Sequence, residues 1–266
     1  MIRTMKSIDH QAPVLLLDIG NTNTRIAVWD KHLVKAPVSV STGDQQPLND
    51  AVSAHLSSYE PAQVVSAVVA SVVPGALPIV RDVIGVALGR EPLIVGEEIA
   101  LPIEVGIEDP RSMGVDRICA AAAAYHALQA ACTVVDFGSA VTVDLVDGEG
   151  TLLGGAILPG LTMQLRSLHE HAAQLPKVEI GLPDSVFGCN TVEAIQIGVC
   201  RGLIGAVRNL VESYATSLNQ WPQVVATGGD LMFIGPQCDF LDSLVPDLTL
   251  RGLGLSYTRY LEARGA

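Results

Sequence analysis

The chain has 266 residues, 49% of them hydrophobic but only 4% aromatic, which allows one large or two modest domains with cores of Val, Leu, Ile and Ala. A formal net charge of −12 argues against nucleic acid and anionic membrane as partners, because both require basic surface to replace counterions. The five cysteines (Cys119, Cys132, Cys189, Cys200 and Cys238) are odd in number and widely spaced, which predicts free buried thiols and neither disulfides nor a thiolate metal site.

In chain order, residues 1–12 carry no period and read as a loose, dispensable extension with Met5 an alternative start. They lack the apolar centre of a signal peptide, and no apolar run reaches the roughly 20 residues that span a bilayer, so the expected compartment is the cytoplasm. Residues 14–28, VLLLDIGNTNTRIAV, read as two apolar strands joined by a polar turn. Gly20 is expected to take a backbone conformation closed to other residues, so that successive N–H groups converge on an anion while Asn21, Thr22 and Thr24 add donors. Asp18 sits where a magnesium ion, bound directly or through water, would be held against a phosphate. By itself D-x-G-N-T also describes an ordinary hairpin turn.

The pattern recurs. From Val134 the chain runs VVDFGSAVTVDLVD, with the same apolar approach, the same D-x-G and a Thr six residues after the Asp, so that Thr24 and Thr142 correspond. Asp18 and Asp136 lie 118 positions apart, close to half the chain, which predicts a duplicated domain gripping one polyphosphate with two hairpins. All four lysines lie outside the hairpins and no G-x-x-x-x-G-K-[ST] loop exists, so phosphate charge would be offset by Arg25, Arg111, Arg117 and metal ions.

Between the hairpins, residues 44–60 predict a helix, 63–73 a buried parallel strand, 78–88 a helix and 92–95 a short strand, a right-handed crossover unit. Residues 110–117, PRSMGVDR, open an alanine-rich helix that joins the two halves. Asp116 and Arg117 stand at its start, where Asp116 is equally a helix-start carboxylate without chemistry. Beyond the second hairpin, Gly154, Gly155 and Gly160 predict backbone close to another element. A helix follows over 161–173, and Asn190 with Glu193 caps a helix running to about Leu218. The Gly198, Gly202 and Gly205 face of that helix is expected to pack tightly on a neighbour. VVATGGD at 224–230 is a strand ending in a Gly-Gly turn suited to a flat ring, and a last helix covers 253–263.

Asp18-Ile-Gly-Asn-Thr, Asp136-Phe-Gly-Ser-Ala and Thr227-Gly228-Gly229 resemble the two phosphate motifs and the adenosine motif of the sugar kinase, chaperone and actin superfamily. Together with G-x-D-R at 114–117, GGAILPG, Gln174-Leu175-Pro176 and Gly188-Cys-Asn-Thr191, the chain from 14 to about 260 resembles type III pantothenate kinases in motif order and spacing. The resemblance implies an α/β protein of duplicated actin-like (ribonuclease H-like) domains, residues 1–120 and 121–266, each a mixed sheet flanked by helices. It implies ATP-dependent phosphorylation of pantothenate to 4′-phosphopantothenate, the first step of coenzyme A biosynthesis. It further implies Mg2+ and a monovalent cation (K+ or NH4+) as cofactors, and a homodimer whose pantothenate site lies at the subunit interface.

Carried over by position, Asp18, Gly20, Asn21, Thr22, Asn23, Thr24 and Arg25 would surround the ATP phosphates, with Ser139, Gly228 and Gly229 as further ATP contacts. Asp116 would be the general base; Gly114, Val115, Arg117 and Thr191 would hold pantothenate; Asp136 would coordinate the monovalent cation. The chain departs from the family in Ile107, where a tyrosine usually lines the pantothenate site, and in S-A-V-T for T-A-T-T after Gly138. The alternatives are a nucleotide-binding accessory or regulatory protein of the same fold, and a kinase for another small hydroxylated acid or sugar.

Overall fold

A computed structural model describes residues 12–60 and 63–265; Met5 and nearly all of the expected N-terminal extension lie outside them. In chain order the elements are β1 (Val14–Ile19), β2 (Asn23–Asp30), β3 (Leu33–Ser41), α1 (Gln45–Ser57), β4 (Ala67–Ser71), α2 (Leu77–Leu88), β5 (Leu93–Ile94), β6 (Glu104–Val105) and α3 (Val115–Leu128). There follow β7 (Cys132–Phe137), β8 (Ala140–Val146), β9 (Thr151–Pro159), α4 (Leu161–His171), α5 (Thr191–Leu218), β10 (Gln223–Thr227), α6 (Leu231–Ile234), β11 (Ser243–Leu244) and α7 (Leu248–Ala263). Contacts divide the chain into one unit that runs to Ala123 and resumes at Asp247, and a second formed by Ala124–Pro246.

The duplication expected from the two D-x-G hairpins is present in the topology. The first unit's sheet has the order β3-β2-β1-β4-β5, and β9-β8-β7-β10-β11 repeats it in the second. In each, an antiparallel hairpin and a third antiparallel strand lie on one side, and parallel strands on the other. The apolar runs at 14–17 and 67–70 are the buried central strands, as continuous Val/Leu/Ala stretches should be when both faces are covered. Strand β3 was not legible: its alternation is broken by Pro37 and a bulge between Ile26 and Val28, and it is largely exposed.

The period of two along β1 divides its side chains between two cores. Leu15, Leu17 and Ile19 pack with Leu48 and Val52 of α1 and Val80, Val83 and Ile84 of α2. Val14 and Leu16 pack instead with Cys119 of α3 and Leu250, Leu253 and Tyr257 of α7. By the same alternation Asp18 belongs to the α3/α7 face. Helix α7 begins five residues before the predicted start. Gly252 and Gly254 lower helix propensity, but the packing demands them: a Cβ at Gly252 would overlap the Cys119 carbonyl and one at Gly254 the Trp29 ring.

In the second unit Val135, Phe137, Val141 and Val143 of the sheet pack with α4, α5 and α6. Helix α5 corrects the membrane reading: with 28 residues it is long and apolar enough to cross a bilayer. One face, carrying Ile195, Val199, Leu203, Val207 and Val211, is nevertheless committed to the core of its own unit. The tight packing expected of its glycine face is absent among the described residues. Gly198, Gly202 and Gly205 are exposed, with no heavy atom of another described element within 4 Å of an added Cβ. All five cysteines are free, four of them buried, and Cys189 is exposed.

Candidate functional site

In the first unit, the turn after Asp18 is held by a residue that the sequence did not suggest. The Thr42 hydroxyl donates to the Gly20 carbonyl at 2.8 Å and lies 3.0 Å from the hydroxyl of the buried Thr24, and the Thr42 N–H donates to the Thr22 carbonyl at 3.0 Å. The Gly20 N–H closes the turn on the Asn23 carbonyl at 3.0 Å. Asn21, Thr22 and Asn23 are left exposed at the tip, while Arg25 stands opposite Asp18 in the ladder. The conformational argument for Gly20 needs correction, because its φ is not left-handed. Space is the reason for glycine: a Cβ would lie 3.1 Å from the Asn23 carbonyl.

The G-x-D-R segment is seated beside this turn. The Val72 N–H, just past β4, donates to the Ile19 carbonyl at 3.1 Å, and a Cβ on Gly114 would stand 3.3 Å from Val72 Cγ1 and overlap Asp116 Oδ1. Asp116 and Arg117 lie in the first turn of α3, as expected, both half-buried, and Asp116 Oδ1 accepts from the Arg117 N–H at 2.8 Å. Val115 packs into the α3/α7 core. One turn on, burial and then the charges of Asp18 and Asp116 push the Cys119 thiol well above its ordinary range. Val72, bonded to Ile19 and in contact with Gly114, places the candidate metal holder and the candidate base in one neighbourhood at the carboxyl end of the sheet, where ligands of open α/β sheets bind.

In the second unit, Asp136 is the penultimate residue of β7, on the face opposite Val135 and Phe137, together with Thr142 and Asp144. The hairpins differ in detail. Thr24 pairs with Ile19, whereas Thr142 pairs with Asp136 itself, so Thr142 stands where the first hairpin has Arg25 and the equivalence drawn from spacing does not hold in the ladder. The first turn is one residue longer. Asp136 Oδ1 lies over the Gly138 turn, 3.3 Å from where a Cβ would sit, and Ser139 is exposed at its tip. Gly160 is the close approach read from GGAILPG: its Cβ would overlap the Gly138 carbonyl, and its N–H donates to the Ser139 carbonyl at 3.1 Å. Gly228, with φ +110°, lies against the Phe137 backbone where a Cβ would clash, and Gly229 is open to solvent. Asp136, Ser139, Gly228 and Gly229 are therefore brought to one end of this unit's sheet.

Thr191 is placed elsewhere, as the first residue of α5, in a groove of about 930 Å³ between α4 and α5 lined by Met163, Gln164, Leu168, Leu175 and Asn190 among others. The predicted cap is present: the Glu193 N–H donates to Asn190 Oδ1 at 3.0 Å, and Glu193 Oε2 accepts from the Cys189 N–H at 2.9 Å. Sequence reasoning also missed Asp144, 1% exposed in β8, for which Gly155 leaves room: a Cβ there would overlap Asp144 Oδ1. Its signal was a lone carboxylate inside the apolar run VTVDLV.

The sequence profile of the type III pantothenate kinase family matches residues 14–213. A type III pantothenate kinase from Moorella thermoacetica is 35% identical over 251 residues, covering 92% of this chain and 99% of its own length. Among solved structures, a conserved putative Baf family transcriptional activator from Campylobacter jejuni is similar with a TM-score of 0.61 at 20% identity, covering 94% of this chain and all of that one. MreB 5 of Spiroplasma citri bound to AMPPNP is similar with a TM-score of 0.53 at 10% identity, covering 96% and 99%. At these identities the two structures speak to the fold alone, and that fold is the expected actin-like one.

Proposed function

The chain belongs to the type III pantothenate kinase family, and from that premise we propose that it transfers the γ-phosphoryl group of ATP to pantothenate, giving 4′-phosphopantothenate for coenzyme A synthesis. The observation that carries this reading at the site is the seating of Gly114, two residues before Asp116, against Val72, whose N–H is bonded to the carbonyl of Ile19, the residue after Asp18. Phosphoryl transfer asks a protein mainly to align the attacking and leaving oxygens and to offset spread negative charge. Asp116 takes the proton of the pantothenate hydroxyl as it attacks, and Gly114, Val115, Arg117 and Thr191 hold that substrate. The turn from Asp18 to Arg25 holds the ATP phosphates, and Ser139, Gly228 and Gly229 are assigned to the same nucleotide. The accessory-protein reading is not favoured, since the likeness to named kinases spans almost the whole chain.

Two cofactors are part of the proposal. Magnesium is usually held by one or two carboxylates together with substrate phosphates, which suits the single carboxylate of Asp18 above an exposed polar turn. Asp136, with its carboxylate over Gly138, suits a monovalent cation. When bound, these ions would offset phosphate charge that no lysine of the hairpins can meet. We also propose a homodimer with the pantothenate site at the interface, supported by the open glycine face of α5 and by the exposed Ile157, Phe187 and Val192, and we assign the reaction to the cytoplasm. A coupled assay of purified protein with pantothenate and ATP, in potassium and in sodium-only buffer, tests the reading. Pantothenate-dependent ADP release that requires potassium is expected; no release with either cation would overturn the activity, and equal rates would overturn the cation.

A further inference from the structure

The turn Thr227-Gly228-Gly229 is followed by Asp230, whose backbone is tied to the phosphate hairpin of its own unit: the Asp230 N–H donates to the Phe137 carbonyl at 2.9 Å, one residue before Gly138. Its carbonyl accepts from the N–H groups of Phe233 and Ile234, so the main chain is fully used. The side chain is not. Although Asp230 is the residue before α6, its carboxylate makes no capping hydrogen bond, and among the described residues no donor or cation pairs with it. It is half-buried, while the neighbouring Gly229 is open. Burial alone, with no compensating donor, raises the Asp230 carboxyl above its ordinary range.

A partly desolvated carboxylate without a partner costs stability, and cap, ion pair and core network are each absent as reasons to keep it. Its position supplies one. It stands beside an open peptide turn on which a flat ring can lie, one hydrogen bond from the strand that leads into the second phosphate motif. We infer that Asp230 is the nucleoside-reading residue of the site, accepting a hydrogen bond from an O–H or N–H donor of the nucleoside, either a ribose hydroxyl or the exocyclic amine of the base. This rests on the kinase reading for the identity of the nucleotide; the sequence reading gave Asp230 no role of its own. A carboxylate that has lost water discriminates strongly, since a nucleotide lacking the donor leaves it unpaired.

Calorimetric titration of the full chain with magnesium complexes of ADP, 2′-deoxyADP and inosine diphosphate tests the assignment, for the wild type, Asp230→Ala and Asp230→Asn. The wild type should prefer ADP to one analogue: to 2′-deoxyADP if the ribose is read, to inosine diphosphate if the amine is read. Asp230→Ala should weaken ADP binding roughly 10- to 100-fold and abolish that preference. Asp230→Asn, which keeps the shape and one acceptor oxygen, should retain part of both. Equal wild-type affinity for all three nucleotides, no ADP binding, variant affinities within twofold of wild type, or a uniform loss with the preference intact would each overturn the inference. Because these probes carry no transferable group, discrimination that depends on Asp230 in a protein that does not phosphorylate pantothenate would refute the kinase reading alone, and the reverse result would refute this inference alone.

Discussion

Asp18 and the G-x-D-R segment of Asp116 are joined through Val72, yet the two carboxylates are proposed to do different work. Replacing Asp116 with Asn keeps size and the acceptor for the Arg117 N–H but removes the basic oxygen, so turnover should fall by roughly 10²- to 10⁴-fold with ATP affinity nearly unchanged. Asp18→Asn should instead weaken magnesium-ATP binding, because its proposed role is electrostatic. Steady-state kinetics together with ATP titration separate the two; an Asp116→Asn protein with near-normal turnover would return Asp116 to the status of a helix-start carboxylate. Gly228 gives a structural counterpart. Its left-handed φ and its contact with the Phe137 backbone forbid a side chain, so Gly228→Ala should lose about 1–3 kcal/mol in urea unfolding. An unchanged midpoint would show that the turn can relax.

At the level of elements, α5 is the one whose ends the sequence places most securely. Asn190 caps its first turn, and Asn219, in the left-handed conformation, closes the last. Asn190→Ala removes the acceptor for the Glu193 N–H and should cost about 1 kcal/mol of stability, read from the urea midpoint with an unchanged slope. The glycine face of the same helix makes the opposite kind of demand. An added Cβ at Gly202 meets nothing, so Gly202→Arg should fold normally by circular dichroism. In solution the wild type should scatter light as a dimer and Gly202→Arg as a monomer. A wild-type monomer at micromolar concentration would remove the dimer proposal, and a dimeric variant would move the interface off this face.

At the scale of the molecule, two sheets with one strand order explain why the chemistry-bearing residues recur at half-chain spacing. In each unit the Asp of D-x-G is the penultimate residue of the central strand, and the parallel neighbour ends beside it: Val72 beside Ile19 in the first, Gly228 against Phe137 in the second. The small residues that follow are required by the close approach of these strand ends, which is why Gly114, Gly160 and Gly228 carry the contacts while Gly229 stays open. The acidic balance of the whole chain is compatible with an anionic substrate only if positive charge is supplied locally, and Arg25 and Arg117 lie in the segments that need it.

The sequence by itself determined the central strands, the main helices and their repetition. Continuous apolar runs read as buried strands, Asn190 and Glu193 as a helix start, and two D-x-G hairpins as a duplication, because each of these is set by side-chain period and backbone chemistry within a few residues. The motif residues were legible for the same reason. Tertiary structure alone decided what depends on contacts distant in sequence: that Thr42 staples the first turn, that Gly155 makes room for a buried Asp144, that Asp230 is left without a partner among the described residues, and that α7 returns to pack beside β1. It also decided the one-residue difference between the hairpins, since ladder register follows from turn geometry and pairing, to which equal spacing between an Asp and a Thr is blind.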